Sequence, residues 1–270
     1  VYKRQGLGTA PVLDSFKKGA ITNRNNLIEQ LEIAVTAAET MADKKVDSAY
    51  MTITGDHIRC MNTQGAIALN RNKANGTISN DPISQRDINK VLELTQGIAL
   101  PPDRDILHTI PQEFIVDTLE KIDNPIGLSG RRLEGHVHLV TASTSGMENL
   151  IESAEELGIN INGLVFKPLA SAIPTLTKDE MKLGVSLIDI GSTTTSIAVF
   201  NEGAVRHSAV IPVGSSSITN DIAVMLRISI EEAEKIKIKY ASAKASLSSQ
   251  KLEFEIPNSG DNQMISENEL

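Results

Sequence analysis

A turn of small hydroxylated residues between two apolar runs is the part of this chain best suited to chemistry. Residues 187–190 are apolar except for Asp189, the turn reads Gly191-Ser192-Thr193-Thr194, and the second run ends at Phe200. Backbone N–H groups and hydroxyls gathered at such a turn form a concave nest that suits phosphates. The pattern alone leaves two interpretations open, a phosphate-binding hairpin and a β-meander with a polar tip.

Asp189 is the candidate metal residue of this hairpin. It stands at the end of the first predicted strand, where a carboxylate can orient a magnesium-bound water. Beyond the hairpin, Asn201-Glu202-Gly203 predicts a turn and Ala204 to Val213 a further strand. A second candidate pair, His136 and His138, shares one predicted strand face, but no third ligand follows at a zinc-like spacing.

Composition restricts the class of protein. The 270 residues are 40% hydrophobic but only 3% aromatic, so one large or two ordinary domains would have aliphatic cores. The single cysteine, Cys60, excludes an intramolecular disulfide and favours a reducing compartment, the cytoplasm. A net charge of -8 argues against nucleic acid as the main partner. No apolar run approaches the roughly 20 residues that a membrane span needs.

Local patterns predict a mixed α/β chain. The first half begins with a helix that carries Leu27 to Met41 at helical spacing, with Asn25 or Asn26 as its N-cap. Residues 72–81 predict a polar loop. Ser84-x-x-Asp87 predicts a capped helix, and residues 106–116 an extended segment with Pro111 at an edge or bulge.

The second half alternates helices and strands around the hairpin. Helices are predicted over residues 146–157, from Pro168, and over residues 218–226, with a short strand at 164–167. Ser229-x-x-Glu232 predicts a capping box at the start of a further helix.

Several short sequence motifs together resemble those of the FtsA family of bacterial cell-division proteins, within the actin superfamily. The hairpin resembles the second phosphate loop of the actin fold, and the resemblance covers about residues 6–242. The words downstream of the hairpin are RHSAVIPVG (206–214), TNDIA (219–223) and EEAEKIKIKY (231–240). The words that resemble the subdomain inserted in this family are ILHTIPQEFIVD (106–117) and NPIGLSGRRLEGHVHLVTA (124–142).

The resemblance implies an α/β, actin-like (ribonuclease H-like) two-lobed fold with a small inserted α/β subdomain in the first lobe. The implied divisions are the first lobe in two parts, 6–55 and 135–182, and the SHS2-like insertion at 56–134. The second lobe follows, with the phosphate hairpin at 183–217 and the start of a smaller subdomain at 218–270.

The resemblance also implies a function. Family members bind ATP with magnesium, polymerise, and tether FtsZ to the cytoplasmic face of the membrane at the division septum. Self-association, FtsZ and other division proteins are therefore the expected partners. The membrane is reached through a C-terminal amphipathic helix, which we expect to lie beyond this chain. We likewise expect an internal fragment without the first phosphate loop and the adenosine loop, unable by itself to bind nucleotide measurably.

Site residues are implied in the same way, as nucleotide contacts and none of them catalytic: Asp189, Gly191, Ser192, Thr193, Thr194, Gly214, Glu234 and Lys237. Glu234 and Lys237 have an equal alternative as an ordinary surface ion pair. Ser192 and Thr193 stand where the family usually has glycines, and the β-branched Thr193 narrows the approach of a phosphate. The resemblance thus implies nucleotide binding, and these departures predict at most weak ATPase activity.

Two other functions within the same superfamily stay open. A pilus-assembly scaffold similar to PilM tolerates non-glycine residues in its hairpin, whereas the words at 106–117 and 124–142 favour FtsA. A sugar or acetate kinase needs a carboxylate base and a dedicated substrate motif, and no such motif is evident.

Overall fold

The computed structural model of the chain describes residues 5–11, 15–69, 82–244, 253–255 and 264–266. It divides into two compact units. The first comprises Val1–Asp189 and Thr194–Pro212, and the second comprises Ile190–Thr193 and Val213–Leu270. The polar loop predicted at 72–81 and most of the tail after residue 244 lie outside the described residues.

Helices and strands are interspersed along the chain, as predicted for a mixed α/β protein. The helices are α1 (Arg24–Ala42), α2 (Gln85–Thr95), α3 (Thr144–Glu155), α4 (Lys167–Thr175), α5 (Lys178–Leu183), α6 (Ser215–Leu226) and α7 (Ile230–Tyr240). The strands are β1 (Phe16–Lys17), β2 (Ala20–Ile21), β3 (Ser48–Ile53), β4 (Arg59–Ala68), β5 (Arg104–Val116), β6 (Leu119–Ile122), β7 (Arg132–Ser143), β8 (Asn160–Phe166), β9 (Val185–Ile190), β10 (Thr195–Asn201), β11 (Ala204–Ile211), β12 (Glu253–Glu255) and β13 (Met264–Ser266). None of the helices described is both long and apolar enough to cross a bilayer.

Helix α1 begins at Arg24 because Asn23 caps it. The Asn23 side-chain oxygen accepts a hydrogen bond from the Asn26 amide at 3.1 Å. The predicted cap at Asn25 or Asn26 is therefore wrong. Several neighbouring asparagines are all suited to capping, and the choice among them is made by the preceding chain, where the Ser15 carbonyl accepts from the amides of Thr22 and Asn23.

A parallel strand pair, β3 with β8, forms one side of the first core. Parallel neighbours need a long connection, and every element from β4 to α3 lies between these two in sequence. Ile53 of β3 and Phe166 of β8 pack with Leu150 of α3, and the same cluster includes Val140 and Ala142 from β7. Strand β7 thus contributes to a core outside its own sheet.

The inserted segment builds a separate antiparallel sheet of order β4-β7-β5-β6. Strand β3 does not pair with β4, although only five residues separate them. The register of β5 against β7 shifts between Pro111 and Glu113, which confirms the bulge predicted from Pro111. The predicted bounds of the insertion, residues 56 and 134, stay a proposal. Residue 134 falls inside β7.

Helix α2 covers one face of this sheet. Its capping box is present as predicted, with the Asp87 carboxylate accepting from the Ser84 amide at 3.0 Å and from the Ser84 hydroxyl at 2.7 Å. Val91 of α2 is fully buried and belongs to a second core with Phe114 and Leu133. The insertion therefore has a hydrophobic core of its own.

Strands β9, β10 and β11 form an antiparallel meander in chain order. The turn at Glu202 and Gly203 has positive φ at both residues, 55° and 82°, as a two-residue hairpin turn requires. Ala198, Phe200 and Val205 of this sheet pack with Ala172 of α4. The strand predicted to run to Val213 ends at Ile211.

The second unit contains the helical pair α6 and α7. Ile222 of α6 packs against Ala233 and Ile236 of α7. The predicted Ser229 capping box is confirmed. Helix α6 begins at Ser215, three residues before the predicted start, because Gly214 serves as its N-cap.

Candidate functional site

Asp189, the predicted metal residue, is held by two side chains of α4 within the first unit. Lys167 Nζ donates to Asp189 Oδ1 at 2.9 Å, and Ser171 Oγ donates to Oδ2 at 2.7 Å. The two donors are one helical turn apart and therefore lie on one face of α4. Burial favours the neutral acid, but these hydrogen bonds and the Lys167 charge outweigh it, so the pKa of Asp189 is lowered.

This arrangement does not fit a magnesium-bound water at Asp189. Each carboxylate oxygen accepts one hydrogen bond, so the misfit is one of charge rather than of missing lone pairs. The Lys167 ammonium lies 2.9 Å from Asp189 Oδ1, and like charges repel strongly in a partly buried site, which disfavours a divalent cation next to it. Asp189 is instead the anion of an ion pair, and the side chains of Lys167 and Asp189 are only 33% and 17% exposed.

The hydroxylated turn, in the second unit, is bonded to the start of α6. The Gly191 carbonyl accepts from the Ser215 amide and the Ser192 carbonyl from the Ser216 amide, both at 2.9 Å. The Ser216 hydroxyl also donates to the Ser192 carbonyl, at 2.7 Å. The first amides of α6, which in other proteins form an anion site, are therefore used by the protein itself.

Gly214 is the residue that permits this close approach. A Cβ built on Gly214 would lie 2.4 Å from the Ser192 carbonyl oxygen and 2.5 Å from that of Gly191. Both are backbone atoms, so no side-chain rotation relieves the contact. The predicted role of Gly214 next to the turn thus has a steric basis, although its contact with nucleotide stays a prediction.

The hydrogen-bond donors available to a phosphate belong to the turn itself and not to the start of α6. Ser192 is exposed and Thr193 is partly exposed. In the described part of the chain, the amides of these two residues have no hydrogen-bond acceptor. Amides and hydroxyls of this kind fit the phosphates of a nucleotide. Thr194, in the first unit, is only 4% exposed, and Gly214 is buried too, so these two predicted contacts are less accessible than Ser192 and Thr193.

Glu234 and Lys237 lie in a network between α6 and α7. Lys237 Nζ lies 2.6 Å from Glu234 Oε2, 2.8 Å from Thr219 Oγ1 and 3.2 Å from the Ser215 carbonyl oxygen. The Thr219 hydroxyl donates to Glu234 as well, at 2.5 Å. The hydrogen bonds from Lys237 and Thr219 lower the pKa of Glu234. Lys237 Nζ thus has three oxygen atoms within hydrogen-bond distance, and the pair also joins α7 to α6. A contact with adenosine stays a prediction.

Sequence reasoning missed Lys167, Ser171 and Thr219. The side chains that these residues bind are 15 to 22 positions away in the chain, beyond any local spacing rule. One signal was present for Lys167: a cation in the first turn of a helix opposes the helix dipole, so such a residue needs an anion nearby.

The two histidines singled out on one strand face have protein partners. His136 lies between Glu113 and Glu134, with nitrogen-to-oxygen distances of 3.1 and 3.0 Å. His138 bonds to Asn62 at 2.6 Å and to Ser208 at 2.7 Å. Burial, with the nearby His207, lowers the pKa of His138 to about 4. The residues described form no cluster suited to a metal ion.

Two family models match separate parts of the chain. The model for "SHS2 domain inserted in FTSA" matches residues 55–141, and the model for "Cell division protein FtsA" matches residues 186–269. The first match coincides with the sheet β4-β7-β5-β6 and α2. The second begins in β9 and includes the turn, α6 and α7.

Curated relatives match over almost the whole chain. Cell division protein FtsA of Pseudomonas aeruginosa is 39% identical over 256 residues, which are 95% of this chain and 59% of that protein. Cell division protein FtsA of Escherichia coli K12 is 34% identical over 255 residues, 94% of this chain and 58% of that protein. The chain therefore spans somewhat more than half the length of these relatives.

Among solved structures, a chain of the "PilM-PilN type IV pilus biogenesis complex" is similar with a TM-score of 0.60 and 14% identity. The similarity covers 84% of this chain and 60% of that one. At this identity the similarity concerns the fold alone. Together with the SHS2 match, it confirms the predicted class, an actin-like α/β fold with an inserted small α/β subdomain.

Proposed function

The chain belongs to the FtsA family of cell division proteins, and from this premise we propose that it is part of an actin-like scaffold of the bacterial division machinery. The observation that carries the proposal is the inserted domain. Its sheet and helix have their own core, and they coincide with the family model for the domain inserted in FtsA.

The proposed ligand of the scaffold is ATP. Its phosphates would be held by the turn 191–194, next to Gly214, through the amides and hydroxyls of Ser192 and Thr193. Support comes from the exposure of Ser192 and from the absence of acceptors for these two amides within the described residues. Glu234 and Lys237 are proposed for the adenosine side. ATP hydrolysis would be at most weak, because Ser192 and Thr193 stand where the family usually has glycines and narrow the approach of a phosphate to the turn.

The proposed partners are FtsZ, further copies of the protein, and other division proteins. The scaffold would polymerise and tether FtsZ filaments to the cytoplasmic face of the membrane at the septum. Membrane attachment would use an amphipathic helix. The charge of -8 supports protein partners over nucleic acid.

Neither of the other two functions gains support. The similarity to the PilM complex concerns the fold, and the match to the FtsA insertion favours division over pilus assembly. A kinase would need a substrate motif that the sequence does not offer.

The test is genetic. A bacterium depleted of its own FtsA forms undivided filaments, and the full-length protein that contains this chain should restore septa and concentrate at them as a fluorescent fusion. A variant with Gly214→Val is the matched control, because the added side chain would clash with the turn carbonyls and should abolish rescue. Normal abundance of a wild-type protein that neither localises nor restores division would refute the proposal.

A further inference from the structure

The positive charge beside Asp189 is supplied by the protein itself. Lys167 Nζ lies 2.9 Å from one carboxylate oxygen, and the Ser171 hydroxyl lies 2.7 Å from the other. A carboxylate that already has a cation beside it is a poor site for a hydrated divalent cation, because the two positive charges repel each other. At Asp189 that cation is the Lys167 ammonium, so the residue does not fit the magnesium role predicted for it.

The fold holds Lys167 in this position. Lys167 is the first residue of α4 and follows Phe166, whose side chain is fully buried. The Phe166 amide donates to His108 Nε2 at 2.9 Å, and Pro168 on the other side is buried too. The start of the helix is thereby fixed on both sides of the lysine. The backbone from which the Lys167 side chain extends is therefore held in place.

Charge also favours the pair. An ammonium group in the first turn of a helix opposes the helix dipole, and a carboxylate next to it offsets that cost. The two side chains are 33% and 17% exposed, so salt screens their attraction less than it screens a pair on the surface. Ser171, one turn further along α4, orients the second oxygen.

We propose that Lys167 takes the place of the divalent cation at Asp189, so that the protein binds adenine nucleotide without a magnesium ion held through this carboxylate. The inference rests on the proposed nucleotide binding at the turn and specifies the cation requirement of that binding. Magnesium should therefore change ATP affinity by no more than about threefold. Loss of the ammonium should free the carboxylate for a metal and create a dependence of about tenfold, typical of one good charge contact.

The experiment measures binding of a fluorescent ATP analogue to the full-length protein, in magnesium and in EDTA. Four proteins are compared: wild type, Lys167→Met, Asp189→Asn, and Lys178→Met. Lys178 is the matched control, because it is exposed and is also the first residue of a helix. In a second titration Mn²⁺ is added without nucleotide, because the triphosphate itself chelates the metal, and loss of the free-ion electron paramagnetic resonance signal reports Mn²⁺ bound by the protein. Circular dichroism checks that each variant is folded.

We expect wild type, Asp189→Asn and Lys178→Met each to bind the analogue with equal affinity in the two buffers. Lys167→Met alone should bind the analogue more tightly in magnesium and should bind Mn²⁺ at this site. Equal magnesium dependence in wild type and Lys167→Met would overturn the inference and leave nucleotide binding intact. If no protein binds the analogue in either buffer, the proposed nucleotide function fails, and the inference fails with it. The wild-type comparison needs no variant, so a misfolded Lys167→Met protein would not prevent a decision.

Discussion

At the scale of single residues, Ser192 and Thr193 differ from the glycines usual at these positions in the space that their side chains fill, not in backbone conformation. Neither residue has a positive φ, so the turn does not need glycine for its geometry. A glycine there would instead let a phosphate approach the amides more closely. The hydroxyls that replace the glycines are the only side-chain donors of the turn itself in the second unit.

Thr193→Gly should tighten ATP binding to the full-length protein, because loss of the branched side chain opens the approach to the amides. Calorimetric titration with ATP measures the effect. Two variants separate the causes: Thr193→Ser keeps the hydroxyl and removes the methyl group, whereas Thr193→Val keeps the shape and removes the hydroxyl. If Thr193→Gly and Thr193→Val both weaken binding, the hydroxyl itself is a ligand and the steric argument fails.

Lys237→Met should destabilise the second unit by about 1–2 kcal/mol, the range for losing buried hydrogen bonds while their acceptors remain. The acceptors left behind include Thr219, which is only 3% exposed. Hydrogen exchange of the α6 and α7 amides measures the loss. Lys235→Met, an exposed neighbour on the same helix, is the control and should change little. Unchanged exchange in Lys237→Met, combined with weaker ATP binding, would favour the adenosine role.

At the scale of elements, the packing of α2 on the inserted sheet depends on two glycines. Gly65 of β4 and Gly135 of β7 are direct cross-strand partners. A Cβ on Gly65 would lie 3.2 Å from the Val91 carbonyl oxygen, and a Cβ on Gly135 would lie 2.8 Å from Val91 Cγ1. Since Val91 is fully buried, the helix could not move aside without opening the core.

Gly135→Ala should therefore destabilise the insertion by about 1–3 kcal/mol, as overpacking of a tight core does. Urea unfolding of the full-length protein, with exchange of the α2 amides as the local probe, measures it. Gly163→Ala in β8 is the matched control: it is also a glycine of a strand, and its nearest atom would be a Tyr50 ring carbon at 3.5 Å. Equal stability of the two variants would show that α2 tolerates a wider spacing.

At the scale of the whole molecule, β7 joins two cores of the first unit. Leu133 near its start packs in the core of the insertion, while Val140 and Ala142 near its end pack with Ile53 and Phe166. Removing residues 56–134 would thus cut a strand that both cores share. A role of the insertion in the proposed self-association is therefore better tested with surface substitutions than with that deletion.

The stability of the molecule should depend on pH through its buried histidines. His138 is 1% exposed, and burial together with the nearby His207 lowers its pKa from 6.5 to about 4. Burial lowers the pKa values of His57 and His108 as well. As the pH falls, the unfolded chain takes up these protons at a higher pH than the folded protein does. The contribution of the neutral histidines to the free energy of unfolding is therefore full above about pH 6.5 and is lost as the pH drops toward 4. His138 alone contributes a loss of about 3 kcal/mol over that window.

Urea unfolding at neutral pH and near pH 5 measures this dependence. His138→Gln should reduce it markedly, because the glutamine has no proton to take up. His207→Gln, an exposed histidine of β11, should keep most of it. A slope unchanged by His138→Gln would mean that His138 is protonated in the folded protein near its ordinary pKa.

The features that the sequence determined by itself were either interactions between residues close in the chain or short contiguous sequence motifs. The capping boxes of Ser84 with Asp87 and Ser229 with Glu232 were predictable, because capping joins groups three residues apart. The bulge at Pro111 followed from the missing amide of proline. The family and its inserted domain followed from the words at 106–117 and 124–142, without any knowledge of contacts.

Only the tertiary structure decided how distant residues meet. Lys167 and Asp189 are 22 positions apart, and Gly65 and Gly135 are 70 apart. Their contacts depend on strand register and on the packing of helices against sheets, which no local spacing encodes. The same limit applied to Asn23, where equally good caps compete and the preceding chain selects one of them. Asp189 was therefore predictable as a carboxylate at a strand end, but the lysine that neutralises it was not.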